Sequence, residues 1–183
     1  MKPEVGKILV SEPFLPDPNF SRSVVLIAEN EEDSTVGFVM NQKTDYAVNL
    51  LMPDLPFVNN SVYQGGPVEL ESFHYIHRYP QISGSMMLTE SIYWSGDFDE
   101  VVDGLKHGDF KQEDFMFFVG YSGWAQGQLS SELKEKAWIV GELADEYLIN
   151  PKVEEGELWK LAISNMDGDD SLLANSPLNP FLN

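Results

Sequence analysis

The run Phe117-Phe-Val-Gly-Tyr-Ser-Gly-Trp-Ala-Gln-Gly-Gln-Leu129 constrains the fold more than any other stretch of the chain. A strongly apolar, strand-like segment from Glu113 to Tyr121 breaks at Gly120, small and aromatic residues make a corner, and a helical pattern begins near Gly127. At such strand-to-helix corners the N–H groups that open the helix are unpaired and can meet a ligand. The run therefore predicts a buried strand, a turn and a helix, with the corner as the first place to look for a site.

The rest of the chain divides unevenly around it. Gly6 to Ser11 reads as a short strand, and three prolines (Pro13, Pro16, Pro18) hold the following connection stiff and extended. Ser23 to Ala28 is a near-continuous β-branched and apolar run, the pattern of a strand covered on both faces. With Val36 to Met40 it forms a hairpin across the polar Asn30–Ser34 loop. Leu50 to Val58 carries two prolines and supports a short helical turn; Ser61–Gln64, Phe73–Arg78, Ser85–Leu88 and Ser91–Trp94 read as further strands. Helices follow. Asp97 and Glu100 have the spacing of a capping box, with His107 and Gly108 as the stop. Gly127 to Lys136 places Leu129 and Leu133 inward and a Glu132–Lys136 pair outward. Ala137–Val140 reads as a strand, Glu142–Ile149 as a short helix, and Glu154–Asn165 as the last helix, with Leu158, Leu161 and Ala162 on one face. Residues 171–183 read as an irregular tail whose Leu178, Phe181 and Leu182 are expected to cover the protein's own core. Strands in the first half and helices in the second, without regular alternation, predict an α+β class, and no composition break divides the single domain spanning 1–183.

Composition narrows the function classes. Thirty acidic side chains against eleven basic ones give a formal net charge of −19, and the only arginines are Arg22 and Arg78. Nucleic-acid affinity rests on basic patches that neutralise phosphates. Here the basic residues are scattered among acids, as in Lys134-Glu135-Lys136, which argues against direct duplex binding. The chain has no cysteine, which excludes disulfides, thiolate nucleophiles and Cys-ligated metals. No apolar window reaches the ~18 residues of a membrane span, and the polar N-terminus lacks a signal-peptide pattern, so a cytoplasmic location is expected.

Several residue groups invite chemistry. Gly120-Tyr-Ser122-Gly-Trp124 approaches a nucleophile elbow but has Trp124 in place of the second glycine. The favoured reading is that Ser122 satisfies the backbone at a tight corner. His74 and His77 stand three apart in a strand and point to opposite faces, which separates them as metal ligands. Asp167-Gly-Asp-Asp-Ser171 lacks the glycine and the twelfth-position glutamate of a calcium loop, so no metal and no cofactor are expected. Gly65-Gly66-Pro67 could present N–H groups to an anion or simply form a tight strand connection. Arg22, between Ser21 and Ser23 at the mouth of an apolar strand, is either an oxyanion fork or an internal tie for the proline loop.

Taken in order, the blocks Asp17-Pro-Asn-Phe-Ser-Arg-Ser-Val-Val-Leu26, Gly37-Phe-Val-Met-Asn41, Tyr63-Gln-Gly-Gly-Pro67 and Gly120-Tyr-Ser-Gly-Trp-Ala-Gln-Gly-Gln-Leu-Ser-Ser-Glu-Leu133, followed by Ala137-Trp138, resemble the AlgH/YqgE family of bacterial proteins. The resemblance covers roughly Gly6 to Asn165. It implies a single α+β domain in which a bifurcated mixed β-sheet folds as a pseudo-barrel with peripheral helices. It implies a bacterial cytosolic protein and no particular reaction; the family's name comes from a link to regulation of alginate production, and members are often labelled transcriptional regulators. Two departures stand out. Family members usually have a histidine after the glutamate that ends the second strand, where this chain has Asn30, and the region between Ala47 and Ser61 is short. His77 matches the family's histidine in the strand after the Gly-Gly-Pro block.

The functional expectation is a non-enzymatic regulatory or small-ligand-binding module acting indirectly on gene expression. Its candidate ligand-binding residues are Arg22, Asn41, Gly65, Gly66, His77, Tyr121, Ser122, Trp124 and Gln128, facing a small anionic ligand or a protein partner. The alternatives are an enzyme acting on a small anionic metabolite, with His77 as acid or base and Arg22 as clamp, and a protein-interaction adaptor.

Overall fold

Val24–Asn30 (β2) shows how the sheet is built. Val24, Leu26 and Ala28 enter one core cluster while Val25 and Ile27 enter another, so the strand is covered on both faces, as its unbroken apolar run requires. The computed structural model describes residues 1–153, 156–166 and 168–176. The other strands are Ile8–Ser11 (β1), Ser34–Val39 (β3), Lys43–Ala47 (β4), Ser61–Gln64 (β5), Val68–His77 (β6), Met86–Met87 (β7), Tyr93–Trp94 (β8), Phe115–Ala125 (β9) and Trp138–Gly141 (β10). They join in the order β10-β1-β2-β3-β9-β6-β8-β7, with β5 also on β9 and β4 on β5. Among the described residues only the β5–β9 pair is parallel.

The sheet forks along β9. One edge of β9 pairs with β6 from Phe115 to Tyr121. The opposite edge pairs with β5 over Phe117–Val119 and with β3 over Ser122–Ala125. Gly65 sits where these partners separate: its N–H donates to the Val119 carbonyl, and its own carbonyl accepts from the Val39 N–H and the Ser122 hydroxyl. The strand expected to break at Gly120 therefore continues to Ala125. Gly120 is a kink within it, at φ +66°, that hands β9 over from one partner to the other.

Helices Phe98–His107 (α2), Gln128–Lys134 (α3) and Glu157–Ser164 (α4) pack around the sheet, with the short Val48–Leu51 (α1) after β4. α4 lays Leu158, Trp159, Ala162 and Ile163 on the Ile8, Val10, Val24 and Leu26 face. α2 lays Val101 and Leu105 on Tyr75, Phe115 and Phe117. Leu129 of α3, with Trp124 and Trp138, covers Leu9, Val25 and Ile27. Asp97 caps α2 through its Oδ1, but Glu100 does not complete the box: its carboxylate accepts from the N–H and hydroxyl of Ser83, tying the helix to the preceding loop.

Three further segments differ from their sequence reading. β4 has a polar, mostly exposed sequence without alternation, so only its pairing with β5 reveals it. The helix expected over Glu142–Ile149 is a single 3-10 turn, Asp145–Tyr147, whose Asp145 carbonyl accepts from both the Leu148 N–H and Arg78 while its carboxylate accepts from Thr89 and Ser91. Residues 171–175, read as irregular, belong to a 3-10 helix, Gly168–Asn175. Leu178, Phe181 and Leu182, the start of the last helix at Glu154, and Asp167 of the acidic loop lie outside the described residues. Among the described residues β10 and β7 do not pair, so the forked α+β sheet stays open.

A Cβ on Gly120 would lie 2.8 Å from the carbonyl oxygens of Gly66 and Val68, whereas one on Gly84 (φ +73°) would meet nothing within 4 Å. Gly84→Ala should cost about 1–2 kcal/mol from backbone conformation alone. Gly120→Ala should add overpacking at the fork, for a total of about 2–5 kcal/mol. Urea midpoints of the two variants measure the difference; equal losses would show that the fork tolerates the extra carbon.

Candidate functional site

Three separated sequence blocks are bound to one another at one place. Arg22 occupies the left-handed region at φ +48°, an uncommon conformation for a residue with a side chain. Asn41 holds it there: its Oδ1 accepts from the Val24 N–H at 3.0 Å and its Nδ2 donates to the Arg22 carbonyl at 2.8 Å. Gln42 continues the clamp by donating to the Asn19 carbonyl at 2.7 Å, and its own carbonyl accepts from the Gln64 N–H at 2.8 Å. The Arg22 guanidinium stacks 4.7 Å from the Trp159 ring and donates to the Ser176 carbonyl at 2.7 Å. Arg22 is thus a tie between the proline loop and the last helical segments.

Beside the clamp lies a cleft in two parts. The outer part, about 530 Å³, is lined by Asn41, Gln42, Lys43, Thr44, Asp45 and Gln64, with Tyr46 at its rim. The inner part, about 230 Å³, shares Asn41 and Lys43 and adds the apolar surfaces of Met40, Tyr63, Val153 and Leu158. Both amide atoms of Asn41 are engaged by backbone, so Asn41 shapes the cleft and Lys43 supplies its cation. Side-chain amides, a hydroxyl and the Lys43 ammonium, with the Asp45 carboxylate opposing it and an apolar floor beside them, can hold a small polar ligand whose anionic group meets Lys43. Lys43, Gln42 and the side chain of Gln64 were not singled out from sequence, although Gln42 directly follows one block and Gln64 lies inside another.

The remaining predicted residues fall into three other places. Gly65, Gly66, Tyr121 and Ser122 form the fork. A Cβ on Gly66 would lie 2.3 Å from the Tyr121 carbonyl carbon and oxygen, and Ser122 is fully buried with its hydroxyl on the Gly65 carbonyl at 2.9 Å. Tyr121 sets its ring edgewise on His74, centroids 5.9 Å apart.

Trp124 and Gln128 meet at Glu132, which does not pair outward with Lys136. One carboxylate oxygen accepts from the indole N–H of Trp124 at 2.8 Å and of Trp138 at 2.7 Å, and the other accepts from Gln128 at 2.9 Å. Phe20 packs against both indoles. This carboxylate fastens α3 to β9 and β10.

His77 is in the core, fully buried between Tyr93 and Phe115. Its Nδ1 accepts from the Tyr79 N–H at 3.2 Å, so the ring proton sits on Nε2, which donates to the Ser95 carbonyl at 2.8 Å. Burial pushes its pKa below the ordinary histidine value, outweighing the two backbone bonds. A general acid or base must reach its substrate, and both nitrogens of this ring are held inside the fold. Burial likewise lowers His74, against the opposing charge of Glu69. Among the described residues no group of three or more His, Cys, Asp or Glu side chains is placed to hold a metal ion, and no helix is long and apolar enough to cross a membrane.

A family profile described as AlgH-like matches residues 8–171. This chain belongs to the AlgH-like family. It is 35% identical over 182 residues to the UPF0301 protein of Bacteroides thetaiotaomicron, covering 99% of this chain and 92% of that protein. It is 33% identical to the UPF0301 protein of Cytophaga hutchinsonii, covering 97% and 98% of the two chains. The fold matches the crystal structure of a protein from Corynebacterium diphtheriae, with a TM-score of 0.78 at 23% identity over 95% of this chain and 93% of that one. It also matches the solution structure of the AlgH protein from Pseudomonas aeruginosa, with a TM-score of 0.71 at 24% identity over 97% and 98%.

Two tests follow from the polar anchors. Glu132→Ala leaves two indole N–H groups without their acceptor and should cost about 2–4 kcal/mol in chemical denaturation. Glu135→Ala, on an exposed position of the same segment, should cost less than about 0.5 kcal/mol; equal effects would remove the anchoring role. For pH, histidines whose folded pKa is depressed bind fewer protons folded than unfolded once the pH drops below about 6.5. Their stabilisation is complete above that value and is lost progressively on acidification. Relief of anionic repulsion acts in the opposite direction in so acidic a chain, so the comparison is with His74→Phe, which keeps ring packing and removes one titrating group. Its urea midpoint should fall less than that of the wild type between about pH 7 and about pH 5. A steeper fall would refute the assignment.

Proposed function

We propose that this AlgH-like protein is a regulatory binding module. The cleft at Asn41, Lys43, Tyr63 and Gln64 takes a small anionic metabolite, its charged group beside Lys43 and an apolar portion over Tyr63 and Leu158. Any effect on gene expression runs through occupancy of this cleft or through a protein partner, and not through contact with DNA. The observation that carries the reading is that three distant sequence blocks are hydrogen-bonded to one another beside the cleft, two of them lining its wall through Asn41, Gln42 and Gln64 and the third joined to them through Asn19, Arg22 and Val24. Mutual hydrogen bonding fixes that wall before any ligand arrives, and a wall fixed in advance loses little entropy on binding. The net charge of −19 supports the exclusion of DNA, whose phosphates need a basic surface.

Arg22, whose guanidinium holds the Ser176 carbonyl and the Trp159 ring, would report on folding if mutated. Lys43 is exposed and its removal leaves those ties intact. A thermal-shift screen of carboxylated and phosphorylated metabolites should therefore be run on the wild type, Lys43→Ala and Gln64→Ala. A ligand at about 100 times its dissociation constant adds roughly 2.7 kcal/mol, which raises the melting temperature of a chain this size by about 5–10 °C. The expected result is a shift in the wild type that Lys43→Ala loses and Gln64→Ala reduces. A ligand whose shift survives in both variants would move the site elsewhere.

A further inference from the structure

A second cation, Arg78, is held by a carbonyl, a hydroxyl and a distant carboxylate, none of which grips it through two donors. It directly follows β6 and lines a separate cleft of about 620 Å³ with Asn150, Lys152, Tyr147, Glu113 and Glu146. A guanidinium has five N–H donors and is best satisfied by a carboxylate gripped through two of them. Two carboxylates lie near Arg78, and neither grips it so. Asp145 turns one oxygen to the hydroxyls of Thr89 and Ser91, at 2.7 and 2.5 Å, and offers Arg78 only its carbonyl, 2.9 Å from Nη2. Asp114 accepts from the Tyr79 hydroxyl at 2.7 Å through Oδ2, while its Oδ1 stands 3.9 Å from Arg78 Nε, beyond hydrogen-bond distance. The remaining contact, Nη1 to the Ser91 hydroxyl, is long at 3.4 Å. Hydroxyl donors thus take one oxygen of each acid, Asp114 stays within ion-pair distance through its other oxygen, and the guanidinium stands at the cleft without a carboxylate gripping two of its donors.

The wall around it has two signs of charge. Lys152 adds a second cation to the cleft, and Asn150 is fixed by donating to the carbonyls of Glu113 and Phe115, at 2.9 and 2.8 Å. Glu113 and Glu146, both exposed, contribute acceptors. Inorganic anions gain from the cations and are repelled by the glutamates. An oxyanion on a carbon skeleton bearing hydroxyls gains from both, because hydroxyl groups donate to carboxylates. We infer that the Arg78–Lys152 cleft is a second ligand site, independent of the Lys43 cleft, for a small polyhydroxylated oxyanion. The oxyanion binds to Arg78 and Lys152 and the hydroxyls bind to Glu113 and Glu146. Phosphomonoester and carboxylate forms share this chemistry.

The test is a nuclear magnetic resonance titration of the ¹⁵N-labelled full chain with four probes: glucose 6-phosphate, gluconate, inorganic phosphate and glucose. Saturable amide shifts around Arg78, Asn150 and Lys152 are expected with glucose 6-phosphate, gluconate or both, and which of them binds tells phosphate from carboxylate. Inorganic phosphate should bind more weakly and glucose not at all. Lys152→Gln alters an exposed side chain and should weaken the hit about tenfold without changing the fold. Arg78→Lys keeps the charge, loses the fork and should abolish the hit. No saturable shift with either anionic sugar, shifts that map to Lys43 instead, or equal binding by Lys152→Gln would overturn the proposal. Inorganic phosphate binding as tightly as glucose 6-phosphate would overturn the part given to the glutamates.

Discussion

The handover at Gly120 is the constraint on which the rest of the structure depends. A strand has two edges, and β9 must serve three neighbours: β6 on one edge, then β5 and β3 in succession on the other. This works only if the two successive partners separate at one point without leaving backbone groups unpaired, since a buried unpaired amide costs about as much as a lost hydrogen bond. Gly65 solves the pairing by giving its N–H to β9 and its carbonyl to β3 and Ser122 together. The geometry then demands missing side chains on both sides. A Cβ on Gly65 would fall 2.5 Å from the Gly120 carbonyl oxygen, and one on Gly66 would fall 2.4 Å from the Ser122 nitrogen. The Gly-Gly pair and the Gly120-Tyr-Ser122 motif are the two halves of one joint, contributed by distant parts of the chain.

Polar side chains serve as fasteners elsewhere in this fold. Glu132 on α3 draws in one indole from β9 and one from β10, strands that are not neighbours in the sheet, and so sets where the helix lies. Trp159 on α4 donates to the Ser11 carbonyl at 2.9 Å while its ring carries Arg22. In both cases an aromatic side chain brings a large apolar surface and a single donor, and the donor finds an acceptor in the place where the ring packs. Packing alone would let the helices slide on the β-branched sheet surface. A polar anchor at a fixed position on each of these two helices removes that freedom.

Much of this was legible in the sequence because it follows from local pattern. The buried run of β2, the Asp97 cap, the Gly108 stop and the division into strands then helices need only periodicity and capping chemistry. The fork is legible in part: the family resemblance implies a bifurcated sheet and the corner pattern gives Ser122 a backbone-satisfying role, but local pattern alone ends the strand at Gly120. A glycine at positive φ ends a strand or kinks it, and only a partner on the far side decides which. Glu132 shows the same limit. Its spacing from Lys136 fits an exposed pair, and nothing local announces two indoles arriving from other strands. The nine candidate residues proved to be distributed among the Arg22–Asn41 clamp, the fork, the Glu132 anchor and the His77 core position. Lys43 and the Arg78 cleft lay outside the list because cations scattered in sequence give no signal until the fold brings them to a cavity.

That scarcity of cations is itself a functional argument. At −19 the protein repels anions at a distance, but in physiological salt the field is screened over about 8 Å. An anion that reaches contact therefore feels mainly its immediate neighbours, where one ammonium or guanidinium in a partly dry cleft outweighs more distant acids. A surface dense in lysine would hold anions indiscriminately. Here Lys43 and the Arg78–Lys152 pair are cations set against polar or acidic walls, and weak capture elsewhere is suppressed by the rest of the surface. Under the proposed function, the acidity that argues against nucleic acid would still leave room for anionic ligands and would make their recognition selective, because only a molecule that also satisfies the surrounding amides and carboxylates recovers the cost of approaching a negative protein.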